Sequence, residues 1–282
     1  MYHRKTALTA AKQNNMEFEK MLGEILEDCK TIAVQAGKEI LKIYNSGDFH
    51  VKEKSDRTPV TEADTRANQM ILDYLMPKYS EAGFLAEESA DDLSRRAKEW
   101  CFVIDPLDGT KEFIKRSDEF TVNIALVRNQ RPVVGVIYVP ALEELFYAVK
   151  GQGAYRCAPD GSVEKLKVSD KTENIRAAVS KSNSPPNIRE IMNGYGIENI
   201  IFAGSSLKGC LIASGKVEIY YRKGLTSEWD TAAMQCIVEE AGGILRQLDD
   251  TEMLYNRENT LNEKGFFIVN RRENCLKDYG KR

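Results

Sequence analysis

The run at positions 103–113 reads VIDPLDGTKEF, an apolar strand-like stretch that ends on Asp105, Asp108 and Thr110. Carboxylates this close repel one another and lose hydration on burial, so a chain that presents them at the end of a buried strand needs a neutralising partner. A divalent cation fits that need. Further acids stand at the ends of predicted elements: Asp64 before a helix, Glu87 and Glu88 after the FLA run at 84–86, and Asp230 after Trp229. Mg²⁺ takes oxygen ligands in near-octahedral geometry and usually keeps waters and phosphate oxygens among them. Glu87, Asp105, Asp108 and Asp230, with the backbone carbonyl of Leu107, offer such ligands for more than one ion.

Each piece also has a plainer reading. Asp64 and Asp230 both fit helix N-caps. The Glu87–Glu88 pair fits a solvated charge patch, and DPLDGT fits a tight turn punctuated by Pro106 and Gly109. None of these explains why hydrophobic strands lead into so many acids at once.

Several chemistries are excluded. With two histidines, His3 and His50, a histidine-centred triad is not available in the usual form. The aspartates of DPLD are spaced three apart, which rules out the D-x-D of haloacid-type phosphatases. GSSLKG and GQGAYR do not satisfy the Walker A pattern. A net charge of -3, from 40 basic and 43 acidic residues, gives no basic field for nucleic acid, so a small molecule is the expected partner. Six cysteines without a CxxC pair read as reduced core residues of a cytoplasmic protein. VVGVIYVPAL, the longest apolar run, is about half of a membrane span; a peripheral contact at the inner face of the membrane needs no such span.

The elements that must position the acids follow from periodicity. Apolar residues at intervals of three and four predict one amphipathic helix over 17–44, preceded by a mobile extension at 1–16. A second helix follows TEAD and ends at Pro77. Short strands at CFVID, FTVNIALV, PVVGVIYVP, ELFYAVK and GAYRC predict a largely antiparallel meander. Beyond about residue 158 strands and helices alternate. This divides the chain into an α+β domain at 17–157, with most of the metal ligands, and an α/β domain at 158–282, with Asp230 and a cleft between the two.

TEAD at 61–64, EES at 87–89, DPLDGTKEF at 105–113 and WDTAA at 229–233 together resemble the motif set of the inositol monophosphatase superfamily of lithium-sensitive, Mg²⁺-dependent phosphatases. Within it, DGTKEFIKR, FTVNIALV and GSSLKGC are closer to the bacterial 3′(2′),5′-bisphosphate nucleotidases. The resemblance implies an α/β fold, a two-domain layered αβαβα sandwich, and two or three Mg²⁺ ions held by Glu87, Asp105, Leu107, Asp108 and Asp230. It makes Asp64 and Thr110 the pair that orients the attacking water. It places substrate against Gly109, Thr110, Lys111, Ser205, Ser206, Lys208, Arg222 and Asp230. The implied reaction is removal of the 3′-phosphate of 3′-phosphoadenosine 5′-phosphate, or of the corresponding phosphosulfate, in sulfur metabolism. A homodimer is a further implication. Relatives often carry a histidine in an SRSH-like segment, where this chain reads SKSN with Asn183, so recognition of the base stays open. An inositol or sugar monophosphatase is the nearest alternative, and a non-catalytic phosphate-binding protein is the alternative from another class.

Overall fold

Leu22, Ile25, Cys29, Ile32, Ala33, Ala36 and Ile40 recur on one face, and in the computed structural model, which describes residues 2–54 and 59–279, all seven are buried. They belong to α1, Tyr2–Ser46, which begins well ahead of position 17: the backbone of the stretch read as an extension is helical. Gly47, in the left-handed region at φ 77°, ends it. A small antiparallel ladder of β1, Lys52–Glu53, and β2, Pro59–Val60, leads into α2, Glu62–Lys78. Helix α2 runs one residue past Pro77 instead of ending there. It packs against α1 with Ala63, Ala67, Ile71 and Leu75 inward.

The expected meander is a seven-stranded sheet. Its strands, side by side in chain order, are β3 (Gly83–Ala86), β4 (Trp100–Asp108), β5 (Thr121–Arg128), β6 (Arg131–Val139), β7 (Glu144–Val149), β8 (Gly153–Cys157) and β9 (Val163–Lys165). Only β3 and β4 pair in parallel. The sheet thus continues past Cys157 to β9. A short helix, α3 (Thr110–Ile114), follows β4.

A second, five-stranded sheet has β10 (Arg176–Ser180) between β11 (Asn199–Ala203) and β12 (Ile219–Arg222), followed by β14 (Phe266–Val269) and β13 (Ile244–Gln247). Its helices are α4 (Ile188–Asn193), α5 (Leu207–Ala213) and α6 (Glu228–Glu240).

Strand alternation sorts the side chains into three cores. On β4, Phe102 and Ile104 face α1 and α2, whereas Cys101 and Val103 face α6. On β12 and β14, Tyr220, Phe266 and Ile268 face α5 and α6, whereas Ile219, Tyr221, Phe267 and Val269 face α4. The order of layers is therefore helices, seven-stranded sheet, α5 and α6, five-stranded sheet, and α4: the αβαβα sandwich that the sequence led us to expect. Of the six cysteines, all free, Cys29, Cys101, Cys210 and Cys236 are buried in these cores. No helix of the described residues is long and apolar enough to cross a membrane.

Helix α6 is enclosed by both sheets, and its first turn carries Asp230. It approaches β6 at Gly135, where an added Cβ would stand 2.6 Å from the Ala233 carbonyl oxygen and 2.8 Å from Cys236 Cβ. Gly135→Ala should therefore lift α6 from the sheet and cost about 1–3 kcal/mol of stability. A urea-unfolding midpoint equal to that of the unsubstituted protein would contradict this packing.

Candidate active site

The acids of DPLD owe their placement to an irregularity in β4. Strand β4 pairs in register with β5 as far as Asp105 opposite Asn123, after which Asp108 lies opposite Thr121. Three steps on one strand thus face two on the other, a bulge at Pro106, which has no N–H to give the ladder. The extra residue turns both carboxylates toward the same space beyond the strand end. Gly109 follows at φ 94°, and a Cβ there would meet the Glu119 carbonyl at 3.2 Å and Ser205 Cβ at 3.3 Å. Only glycine makes this turn without strain, and it lets α3 begin at Thr110.

Asp64 and Asp230 are placed by the same device in two helices. Each sits inside the first turn of its helix and not ahead of it, because Thr61 and Ser227 are the capping residues. Asp64 Oδ2 accepts from the Thr61 N–H (2.7 Å) and hydroxyl (2.5 Å), and Asp230 Oδ2 accepts from the Ser227 N–H (2.5 Å). One carboxylate oxygen closes the helix while the other remains for the site. For Asp64 that second oxygen accepts from Thr110 Oγ1 at 3.0 Å. The choice between helix cap and site residue was thus never exclusive.

Ligand oxygens of Asp105, Asp108 and Asp230 lie within 4.8 Å of one another. Asp105 is 1% exposed, its Oδ1 accepts from the Leu107 N–H at 3.1 Å, and its Oδ2 is buried with no hydrogen-bond partner. Burial, then the neighbouring charges of Glu87, Asp108 and Asp230, hold its pKa well above the usual carboxylate range. Burial and Asp108 push Asp230 up to about 8, and burial raises Glu87 to about 6 against the pull of Lys54. Asp108 is raised by burial despite Lys208 and Ser206 nearby, and Asp64 is raised by burial as well.

The opposite wall comes from the second sheet and α5. Ser206 begins α5, but its hydroxyl, rather than capping the helix, donates to Asp108 Oδ2 (2.9 Å) and accepts from Asn123 Nδ2 (2.9 Å). Ser205, strained at φ 41°, has a buried hydroxyl with no partner. Lys208, far from being a solvated charge, is 5% exposed, with its ammonium 2.5 Å from the Ser205 carbonyl and 5.2 Å from the Tyr220 ring. Burial lowers it to about 8, partly offset by Asp108 and Glu112. Arg222 Nη1 donates to the Asn183 carbonyl at 3.0 Å, and Lys111 Nζ to the Asn183 side chain at 3.3 Å.

One cavity of about 340 Å³ is lined by Glu87, Asp105, Leu107, Asp108, Gly109, Thr110, Lys111, Ser205, Ser206, Lys208, Arg222 and Asp230. Asp64 reaches it through Thr110. The expected residues therefore all gather at one place. Sequence reasoning missed Lys54, whose ammonium bonds Glu87 (2.8 Å) and Glu88 (2.5 Å). Burial works against its charge, yet the two glutamates outweigh that and push its pKa up. Nothing in the local pattern singles out one lysine of VKEKSDR. The buried Glu112 was also passed over.

The donor set fits a hard cation. Hard oxygens converge, an orphaned oxygen of Asp105 points among them, and burial with mutual repulsion raises the pKa of all three carboxylates, a cost that a cation would offset. Without metal, the folded chain binds protons at Asp105, Asp108 and Asp230 that the unfolded chain releases above about pH 4. Stability contributed by these groups is present below that pH and is lost as pH rises toward about 8. In chelator, the thermal midpoint should fall between about pH 5 and 8, and the gain from added Mg²⁺ should grow over the same interval. A Mg²⁺-induced shift that is constant across this range would count against the assignment.

A model of the inositol monophosphatase family matches residues 21–276. The 3′(2′),5′-bisphosphate nucleotidase CysQ of Aggregatibacter actinomycetemcomitans is 36% identical over 86% of this chain and 92% of its own. CysQ of Escherichia coli K12 is 34% identical over 86% and 99%. Among solved structures, CysQ of Bacteroides thetaiotaomicron superposes with a TM-score of 0.73 at 38% identity, over 85% of this chain and 95% of that one. The suhB protein of Bartonella henselae gives 0.74 at 25% identity, over 88% and 94%. With the family model covering both sheets and every acid of the cluster, the chain belongs to the inositol monophosphatase family.

Proposed function

We propose that this cavity removes the 3′-phosphate of a nucleoside 3′,5′-bisphosphate, with 3′-phosphoadenosine 5′-phosphate and its phosphosulfate counterpart as substrates. The observation that carries the reading is the convergence of Asp105, Asp108 and Asp230 beside two basic side chains, Lys208 and Arg222, in one cavity. An acid cluster alone suits any phosphate ester; a buried Lys208 and a partly exposed Arg222 lining the same cavity suit a substrate with a second anionic group. That several relatives are named bisphosphate nucleotidases supports the same choice.

Glu87, Asp105, the Leu107 carbonyl, Asp108 and Asp230 would hold two or three Mg²⁺ ions. Bound there, the metal supplies Lewis-acid stabilisation of the phosphoryl oxygens and of the leaving group. Thr110 donates to Asp64, so its oxygen is left to accept a hydrogen bond from an incoming water, and a proton leaving that water is taken up by Thr110 Oγ1 as the hydroxyl's own proton passes to Asp64. Asp64 is the base behind it, its basicity enhanced by burial. The N–H groups of Gly109 and Thr110, at the start of α3, hold the transferred phosphate. Ser205, Lys208 and Arg222 hold the far end of the substrate, where the unpartnered Ser205 hydroxyl gains a hydrogen bond.

Asp105→Asn should reduce phosphate release from 3′-phosphoadenosine 5′-phosphate at least ~10³-fold while the circular dichroism spectrum is kept, since a charge that would hold the metal is lost. Lithium should inhibit in competition with Mg²⁺. In a panel with inositol 1-phosphate and fructose 1,6-bisphosphate, the nucleotide should be preferred. Preference for inositol 1-phosphate would keep the metal chemistry and overturn the substrate; undiminished turnover by Asp105→Asn would overturn the metal site.

A further inference from the structure

Three acids of the site are steadied by their own stretch of chain: Asp64 by Thr61, Asp230 by Ser227 and Asp105 by the Leu107 N–H. Asp108 is held differently. Its Oδ2 accepts from two side chains that arrive on other elements, Ser206 Oγ at 2.9 Å and Asn123 Nδ2 at 3.4 Å. Asn123 lies on β5, opposite Asp105 in the ladder, and is 1% exposed. Two places earlier on the same face, Thr121 is fully buried opposite Asp108. The next residues on that face, Ala125 and Val127, pack in the core around α6. Two polar side chains on the inner face of a central strand lose their hydration, so each needs a partner.

The partners all run in one direction. Thr121 Oγ1 donates to Asn123 Oδ1 at 2.9 Å, and Asn123 Nδ2 donates to Ser206 Oγ at 2.9 Å. An amide has an accepting end and a donating end, so a donor fixed at its oxygen turns the NH₂ toward Ser206. Having accepted from Asn123, the Ser206 hydroxyl keeps its single proton for Asp108 Oδ2 at 2.9 Å, with the Asp230 carbonyl farther off at 3.3 Å. With the amide reversed, its oxygen would take that proton and face the carboxylate. Asp108 Oδ2 is thus occupied from within the protein, and Oδ1 is the oxygen left for a cation.

We propose that Asn123, oriented by Thr121, is a positioning residue for the metal site: it aims the Ser206 hydroxyl and through it selects the oxygen that Asp108 presents to the ion. This rests on the metal reading given above and not on the choice of substrate. Hydrogen bonds that run head to tail strengthen one another, so loss of the first is felt at the last. The relay also joins the two walls of the cavity. Asp108 and Asn123 belong to β4 and β5, whereas Ser206 starts α5, next to Ser205 and Lys208. One hydroxyl therefore ties the helix that faces the substrate to a ligand of the metal.

The test is calorimetric titration of the metal-free protein with Mg²⁺, a readout independent of turnover. Thr121→Val keeps the shape of the side chain and removes the hydroxyl; Asn123→Ala removes the centre of the relay. Both should weaken Mg²⁺ binding about tenfold, a size typical of a partner lost from behind a metal ligand, while Thr121→Ser should bind as the unsubstituted protein does. In kinetics, the Mg²⁺ concentration for half-maximal phosphate release should rise by the same factor, with KM for the nucleotide at saturating Mg²⁺ unchanged. A merely structural role would lower the urea-unfolding midpoint in chelator and leave the Mg²⁺ affinity alone. Equal Mg²⁺ affinity in Thr121→Val and the unsubstituted protein overturns the relay even where Asn123→Ala does not fold, and so does an equal loss in Thr121→Ser. Absence of Mg²⁺ binding to the unsubstituted protein overturns the metal site and the relay with it. Failure to release phosphate from the bisphosphate, with this pattern of affinities intact, overturns the reaction and leaves the relay standing.

Discussion

Mutual repulsion among buried carboxylates is the constraint around which this molecule is arranged. Asp105, Asp108 and Asp230 point into a space of a few ångströms, with Glu87 close enough to raise the pKa of both Asp105 and Asp230. At neutral pH such a group of acids either keeps protons or holds cations. The first costs the site its acceptors; the second turns the repulsion into a binding energy. Lys54 and Lys208 moderate the field from opposite sides, but neither satisfies the orphaned oxygen of Asp105.

Keeping the acids together against their repulsion falls to the layers. The bulge after Asp105 is held between a fully paired β4–β5 ladder and Gly109, and so cannot relax outward. Asp230 arrives on a helix enclosed by both sheets, so separating it from Asp105 would require opening the core between them. Asp64 is tied back to its own N-cap. Each acid is thus fixed by backbone elements, and the strain is met by packing of Phe102, Val103 and Ile104 within β4 and Ile237 and Val238 within α6.

Much of this was legible in the sequence because it is written in local patterns. The three- and four-residue period over 22–41 and the alternation in FTVNIALV fixed elements whose burial is set by their own periodicity, and DPLDGT and WDTAA announced the acids. What stayed hidden depends on distant contacts. The helical backbone ahead of position 17 carries no clear apolar period, and the continuation of α2 past Pro77 follows from the tolerance of a last turn that has few ladder bonds left to lose. Lys54 acquires meaning only once loops apart in the chain are folded onto the cleft, where its ammonium meets Glu87 and Glu88. The N3 positions of Asp64 and Asp230 were misplaced by a few residues because aspartate is at home at both cap and first turn, and only Thr61 and Ser227 decide between them.

The central claim, that a cation replaces protons in this cluster, is tested most directly by titrating the metal-free protein with Mg²⁺ at about pH 7 in buffers of differing ionisation enthalpy. The account predicts net proton release on binding, with the extent falling toward about pH 9, where Asp230 has already ionised. Mg²⁺ binding without proton release, or no binding at all, would contradict it.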